Sequence, residues 1–275
     1  MAVQFSGSSK SSESLAAVSS ELAETISAAG LPAADELFSA LDVIDESAAL
    51  RRALTDPARE ASERASVVRS LFGRKAQGST LSLLEAVVSR RWSADRDLGE
   101  AIETLAVTVV AAQAERAGLT GLENLEEALL AFSRAVAESH EVQRALTDAQ
   151  APQAAKQTLA ARLSPSAPAE ARLLIDRAVT TPRGLRPTAL VQRFATIVAA
   201  RQQRWIAQVT VAKSLDSTYL EKLSGSLDRY FGRELKLDVV VDPAVVGGIR
   251  VQVGDEVVDS TVAARLNSLE RSIAR

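Results

Sequence analysis

The sequence has no cysteine among its 275 residues, which excludes disulfides, thiolate metal sites and cysteine nucleophiles. It also has only one histidine, His140. A single imidazole without further ligands rarely forms a metal or catalytic site, so we interpret His140 as an exposed residue on a helix. Aromatic residues make up only 4% of the chain, which argues against an aromatic-rich β-sandwich.

Long apolar runs and an excess of one charge are also missing. The richest apolar stretch, Ala106–Ala112, is far too short to span a bilayer, and the polar, serine-rich start from Met1 to Ser14 does not resemble a secretory signal. The formal net charge of −3 includes no basic surplus, which argues against nucleic acid as a partner. Any association with a membrane is therefore expected to depend on other proteins.

The sequence carries no phosphate-binding loop, nucleophile elbow or zinc-protease motif. Gly73–Lys75 lacks the second Gly-Lys pair that would hold a phosphate, and Gly247-Gly248 lead into a strand instead of the start of a helix. We interpret the arginines at 90–91, Arg183 and Arg186 as residues that complement helix ends. The sequence thus predicts no catalytic site, no metal and no cofactor.

What the sequence does contain is an internal repeat. Ser47–Asp56 reads SAALRRALTD, and Ser139–Asp148 reads SHEVQRALTD at an offset of 92 residues. The alignment continues forward at the same offset, where apolar residues again face apolar residues. We interpret the two stretches as copies of one helical module, covering about 30–118 and 119–204.

The apolar spacing within each copy is helical. Leu37, Leu41 and Ile44 recur at steps of four and three, and we assign Asp35 and Asn124 as helix N-caps near the two starts. Further helices are predicted at Arg59–Phe72, Thr80–Arg91, Leu98–Ala117, Ala154–Leu163, Ala169–Thr180 and Pro187–Gln203. Glycine and proline mark the breaks, so the sequence predicts an antiparallel helical bundle over residues 1–204.

Beyond Trp205 the apolar period changes from helical to alternating. Short β-branched runs at 206–211, Leu235–Val241 and Ile249–Val253 predict strands, with a helix over Ser217–Phe231. A closing helix is predicted from about Thr261 to Ala274. The fold class is therefore mainly α: an antiparallel helical bundle with an internal duplication, followed by a small α/β module over residues 205–275.

The closing helix carries one apolar stripe, formed by Val262, Leu266, Leu269 and Ile273 at spacings of four, three and four. Two interpretations remain open for this stripe. It packs on the sheet of its own module, or part of it binds a partner helix. We treat these four residues as the candidate partner-binding residues of the chain.

The C-terminal module resembles a known family over Pro243–Leu266. This segment places a proline and a small loop before Gly247-Gly248 and a strand, then Gly254-Asp255, then Asp259 and a short polar step into Arg265-Leu266. The pattern closely resembles the signature of the ATP synthase delta subunit family, called the oligomycin-sensitivity-conferring protein in mitochondria. The glycines and the aspartate are suited to turns and a helix cap, so the signature specifies a fold and contains no acid–base machinery.

Other segments are similar to the same family. Val209–Ala212 resembles the strand that precedes the signature, and Leu50–Asp56 and Val142–Asp148 each resemble the end of a family helix. The chain departs from the family in two ways. Ser14–Ala28 lacks the Tyr-Ala pair of the first family helix, and the helical domain is present in one and a half to two copies. An enlarged form of this kind resembles the actinobacterial branch.

This resemblance implies a non-catalytic stator subunit. It implies that the helical domain binds N-terminal segments of the alpha subunits and that the C-terminal module binds the end of the b subunit. The chain would then link the catalytic head to the peripheral stalk, so that proton-driven rotation is coupled to ATP synthesis. Its expected place is the cytoplasmic face of the cell membrane, as a peripheral protein. The alternative is a helical scaffold or adaptor unrelated to ATP synthase.

Overall fold

The computed structural model describes residues 8–232, 235–242, 245, 247–254 and 256–259. These residues form two compact units, one ending at Ala199 and one starting at Ala200. The first unit is helical, and the described part of the second contains a small mixed sheet, one α-helix and a short 3-10 helix at Gln203–Trp205. This confirms the predicted fold class of a mainly α chain with a small α/β module.

Twelve described helices belong to the first unit, the last of them extending two residues past Ala200. They are α1 (Ser9–Glu21), α2 (Ala23–Ala28), α3 (Leu31–Glu46), α4 (Ala48–Thr55), α5 (Ala61–Phe72), α6 (Gly78–Ser89), α7 (Asp95–Glu115), α8 (Gly118–Ala137), α9 (His140–Thr147), α10 (Gln153–Leu163), α11 (Ala169–Thr180) and α12 (Pro187–Gln202). We call α1–α7 the first copy and α7–α12 the second copy, because α7 belongs to both.

The helix boundaries repeat along the chain. Helices α4, α5 and α7 begin at Ala48, Ala61 and Asp95, and α9, α10 and α12 each begin 92 residues later. The turns repeat as well. Ser47 and Ser139 cap α4 and α9 by accepting a backbone N–H three residues ahead, at 3.1 and 3.4 Å. The carboxylates after these helices, Asp56 and Asp148, each accept a backbone N–H at 2.8 Å.

Two of the predicted N-caps are wrong. Helix α3 begins at Leu31 after Gly30, with Pro32 in its first turn, so Asp35 lies inside the helix. Helix α8 begins at Gly118, which places Asn124 in its second turn. In both cases the helix starts earlier than the first apolar residue of the stripe indicated. In α3 the first turn contains Pro32, which suits this position because the N–H that proline lacks would have no intrahelical partner there.

Helix α7 is buried along almost its whole length. Fifteen of its 21 residues are buried, whereas α8, of similar length, buries only one stripe. It packs closely against α3 in the first copy and against α8 and α11 in the second. A helix that is apolar on all faces is one that is surrounded, and α7 is surrounded because the two copies share it.

A comparison of α1 with α7 shows how the sequence provides for this sharing. At the same offset of 92 residues, α1 aligns with the second half of α7. The α1 residues exposed to solvent are Ser9, Lys10, Glu13, Ala16, Ala17, Ser20 and Glu21. Their counterparts in α7 are Ala101, Ile102, Leu105, Thr108, Val109, Ala112 and Gln113, of which five are buried and two half-buried. The same face is therefore exposed and mostly polar in α1, and mostly apolar and buried in α7.

One buried arginine, Arg64, donates hydrogen bonds to carbonyl oxygens at the C-terminal end of α6. Arg64 is only 4% exposed, and its guanidinium donates to the carbonyl oxygens of Val88 at 2.7 Å, Arg59 at 2.6 Å and Ser89 at 3.0 Å. The last carbonyls of a helix have no intrahelical donors, so this side chain satisfies groups that would otherwise be unpaired. The counterpart of Arg64 in the second copy is the half-buried Lys156.

We expect Arg64→Ala to lower the free energy of unfolding by about 3 kcal/mol, because hydrogen bonds from a charged donor contribute about 1.5–3 kcal/mol each and the carbonyls would lose their donors. The measurement is urea unfolding followed by far-UV circular dichroism. Lys156→Ala is the matched control at the equivalent position, with an expected loss below about 1 kcal/mol. Equal losses in the two variants would contradict the role given to Arg64.

The second unit is built around a four-stranded sheet. Its elements are β1 (Ile206–Val211), α13 (Ser217–Phe231), β2 (Lys236–Val241), β3 (Ile249–Val253) and β4 (Glu256–Asp259). The strand order is β2-β1-β3-β4. Strands β1 and β2 are parallel with α13 as their crossover, and the other two pairs are antiparallel. Gly247 and Gly248 both have positive φ, at 64° and 84°, where residues with a side chain would be strained.

Candidate functional site

The four candidate partner-binding residues, Val262, Leu266, Leu269 and Ile273, lie outside the described residues. The other sequence candidates can be placed. His140 is exposed at the first position of α9, as the sequence predicted. Trp92 is buried, and its indole N–H donates to the carbonyl of Val87 at 2.9 Å, so it serves packing. Among the described residues, no group of three or more acidic or histidine side chains is placed to hold a metal ion.

The sheet of the second unit has one apolar face. Ala207, Val209 and Val211 of β1 are buried on this face, together with Val251 and Val253 of β3. Side chains of α13 and the turns beside it complete the core. The strand register places alternate residues on each face, so the opposite face carries polar residues of β1 and β3.

The apolar face is not fully covered by the described residues. Val241 of β2 and Val258 of β4 lie on it at the two outer strands, and they are 49% and 38% exposed. Helix α13 itself exposes Tyr219 and Tyr230. Exposed valines and tyrosines beside a packed core are typical of surfaces that meet another helix, from the same chain or from a partner.

In the helical unit, a cluster of buried and partly buried charged side chains lies where α12 and the loop before it meet α3 and α7; we call this place the seam. Arg183, in the loop between α11 and α12, donates from Nε to Asp45 Oδ2 of α3 at 2.6 Å. Its Nη1 lies 3.3 Å from Glu103 Oε1 of α7. Arg193 of α12 lies 3.6 Å from the other oxygen of Glu103 and 3.4 Å from Glu100. We call these five side chains the seam network.

The electrostatics of the seam network keep its charges in place. Burial lowers the pKa of the Arg183 guanidinium, but the negative charges of Glu103 and Asp45 raise it by more, so the net shift is upward. Arg183 is therefore a permanent cation at any physiological pH. Sequence analysis missed its role, because the carboxylates it meets are 138 and 80 positions away along the chain.

A second ionic contact crosses the same seam. Arg177 of α11 donates to Asp42 of α3 at 2.7 Å and places its guanidinium carbon 5.0 Å from the ring centre of Phe38. A polar cleft of about 480 Å³ adjoins this pair, with Asp35 and Asp176 in its lining. Burial raises the pKa of Asp176, an effect partly opposed by the charge of Arg172. These groups hold helices together and form no nucleophile–base pair.

Comparison with known proteins connects these features to a family. The family model for the ATP synthase delta (OSCP) subunit matches residues 104–273. The ATP synthase subunit delta of Pseudarthrobacter chlorophenolicus is 50% identical over 270 residues, which cover 96% of this chain and 98% of that protein. The chain belongs to the ATP synthase delta (OSCP) subunit family. The subunits delta of Arthrobacter sp. strain FB24 and Renibacterium salmoninarum are 49% and 48% identical, with the same coverage.

The extent of these matches locates the family's own domain in the chain. The family model begins at Thr104, inside α7, and continues through the second copy and the sheet. The match therefore leaves out most of the first copy, including Ser14–Ala28. The relatives are matched over 98% of their length, so they share the enlarged form, as the resemblance to actinobacterial members implied.

Family membership also decides the class of function. Members of this family are structural subunits of ATP synthase, so the prediction of a non-catalytic protein is confirmed, and an unrelated scaffold is no longer an alternative. The delta subunit is a peripheral component of a membrane-bound complex. None of the helices in the described part of the chain is long and apolar enough to cross a bilayer.

Proposed function

We propose that the delta-family chain is a stator connector that joins the catalytic head of an F-type ATP synthase to its peripheral stalk. The helical domain, residues 1–204, binds N-terminal segments of the alpha subunits. The α/β domain, residues 205–275, binds the C-terminal end of the b subunit. The chain acts at the cytoplasmic face of the cell membrane and is held there by the complex.

The observation that carries this proposal is the division of the chain into two compact units with separate cores. A connector must hold two partners at once, and two units with their own cores present two independent surfaces. The exposed apolar side chains fall in both units. Leu71 and Leu185 are exposed in the helical unit, and Tyr219 and Tyr230 in the other. Binding of partner helices needs such surfaces and no cofactor.

Site-specific photocrosslinking in native membranes tests the proposal. A photoreactive phenylalanine analogue is placed at several exposed positions of each unit, including Leu71, Leu185, Tyr219 and Tyr230, and the crosslinked proteins are identified by mass spectrometry. We expect crosslinks to alpha only from the helical unit and crosslinks to b only from the α/β unit. Crosslinks to b from the helical unit alone, or no crosslinks to either subunit, would reject this assignment.

A further inference from the structure

The seam network joins elements that the chain places far apart. Asp45 is near the C-terminal end of α3, Glu100 and Glu103 lie in α7, and the two arginines come from the second copy. The Arg183–Asp45 pair links the second copy to α3, a helix of the first copy alone, and the other three pairs link the arginines to the shared helix α7. Glu103 is the central group, because it lies beside both Arg183 and Arg193.

Glu103 is buried more deeply than a charged residue usually is. It is 1% exposed, and Arg183 and Arg193 are 17% and 19% exposed at the side chain. A carboxylate without solvent is tolerated only when cations compensate its charge. Removal of that charge would leave two partly buried arginines close to each other with less compensation, so the three groups depend on one another.

The network is specific to the seam and is not a repeated feature. At the offset of 92 residues, Glu103 corresponds to Ala195, and Asp45 corresponds to Ala137. Arg193 corresponds to Ala101 in the first copy. Arg183 does have a charged counterpart, Arg91, but the carboxylates and the second arginine that complete the network are not repeated. The complete network therefore occurs once among the described residues, around α7 and the end of α3.

The backbone on both sides of the seam is adapted to Arg183. A Cβ added at Gly99 of α7 would overlap Arg183 Nη2 and lie 3.3 Å from Asp45 Oδ1, so glycine lets the guanidinium lie where it does and a larger residue would displace it. Arg183 itself has a φ of 50°, a left-handed conformation that is unfavourable for a residue with a side chain. Such a conformation persists where the surrounding contacts hold it in place.

We propose that Glu103 is a positioning residue that locks the loop between α11 and α12 onto α3 and α7, so that the two copies form one rigid body. The proposal rests on the proposed function, since a connector under torque benefits from a helical unit that does not yield between its copies. Within the chain, the lock acts through Arg183 on one side and Arg193 on the other.

Hydrogen exchange of the full-length chain tests the lock. The amide of Leu185 donates to Pro182 within the loop, so its protection reports opening of the loop. Asp45→Asn and Arg193→Gln change residues with no ion pair between them, and each should raise exchange at this amide about tenfold. If the two changes acted independently, the double variant would raise exchange by the product of the two single effects. We expect its increase to be at least fivefold smaller than that product, because both changes act through Glu103.

The same cycle in a Glu103→Gln background separates a lock from three independent contacts. There the two effects should multiply, because the central charge is gone. The proposal would be overturned if the two effects already multiplied with Glu103 present. It would also be overturned if the double variant in the Glu103→Gln background still fell short of the product by the same factor. Glu127→Gln, which removes the exposed pair with Arg134, is the control and should leave exchange at Leu185 unchanged.

Gly99→Ala tests the lock without changing any charge. Alanine favours helix over glycine, so a protein without the lock should be stabilised by this change. We expect instead at least tenfold faster exchange at Leu185, because the added methyl displaces the Arg183 guanidinium. Slower or unchanged exchange would contradict the proposal. These readouts use the isolated chain, so they are independent of the crosslinking outcome: the lock can fail while the connector assignment holds, and the reverse.

Discussion

A fragment spanning residues 95–275 is expected to be insoluble or only partly folded, although it contains the entire region that matches the family. Its first helix would be α7, and the face that the first copy normally covers would be exposed. Ile102, Leu105 and Val109 lie on that face, and each is 0% exposed in the full chain. Burial of a large apolar side chain contributes about 1.5–3 kcal/mol, so exposure of three costs roughly 5–9 kcal/mol. That is comparable to the whole stability of a typical domain, about 5–15 kcal/mol.

The chain supplies its own control for this experiment. Helix α1 has Lys10, Glu13 and Ala17 at the positions equivalent to the three exposed residues. The fragment carrying Ile102→Lys, Leu105→Glu and Val109→Ala should therefore be soluble, with a cooperative thermal transition followed by circular dichroism. The same three changes in the full-length chain should prevent folding, because they would bury two charges against the first copy. A soluble, cooperatively folding unmodified fragment would show that α7 does not need its first-copy neighbours.

Deletion of residues 261–275 is expected to abolish attachment to the stalk while the helical unit still binds the catalytic head. The deleted segment carries Val262, Leu266, Leu269 and Ile273, and it follows β4 directly in the sequence. Val258 of β4 is already partly exposed on the apolar face, which supports a role for the region that follows. Pull-down of alpha and b from solubilised membranes measures both attachments. Normal recovery of b by the truncated chain would rule out this end as the docking site.

A single substitution distinguishes the two interpretations of the terminal stripe. Leu269→Asp places a charge on the stripe without removing the segment. If the stripe binds b, recovery of b falls while the melting temperature of the chain is unchanged. If the stripe packs on the sheet, both fall, because a charge in a small core is strongly destabilising. Leu269→Met, which keeps the volume and polarity, is the matched control and should preserve both quantities.

The repeated helices could be predicted from the sequence because their signals are local. The apolar spacing, the serine caps and the glycine and proline breaks depend on neighbours within a few residues. Even there, Asp35 and Asn124 were misassigned, because the first turn of a helix can precede its apolar stripe. The strands of the second unit were equally predictable, since the alternation of apolar and polar residues over five or six positions is visible in the sequence alone.

The seam network and the sharing of α7 could not be predicted in the same way. Arg183 meets Asp45 across the fold, and no spacing rule relates two residues that far apart in sequence. The apolar character of Ala106–Ala112 was visible, but apolar residues on every face of a helix indicate burial without naming the neighbours. A comparison of α1 with α7 could have indicated the sharing. The polar residues on one face of α1 are mostly replaced by apolar residues at the equivalent positions of α7.

Because α7 is shared, the second copy adds fewer helices to the chain than a complete copy contains. The first copy uses the seven helices α1–α7, whereas the second copy adds only the five helices α8–α12, since its first helix, α7, is already present. A tandem array built this way has no linker between its two copies, because one helix serves both. Growth of the array by one period would instead require α12 to exchange exposed residues such as Gln192 and Thr196 for apolar ones. The exposed polar residues of α1 and α12 are therefore unsuited to pack against a further copy.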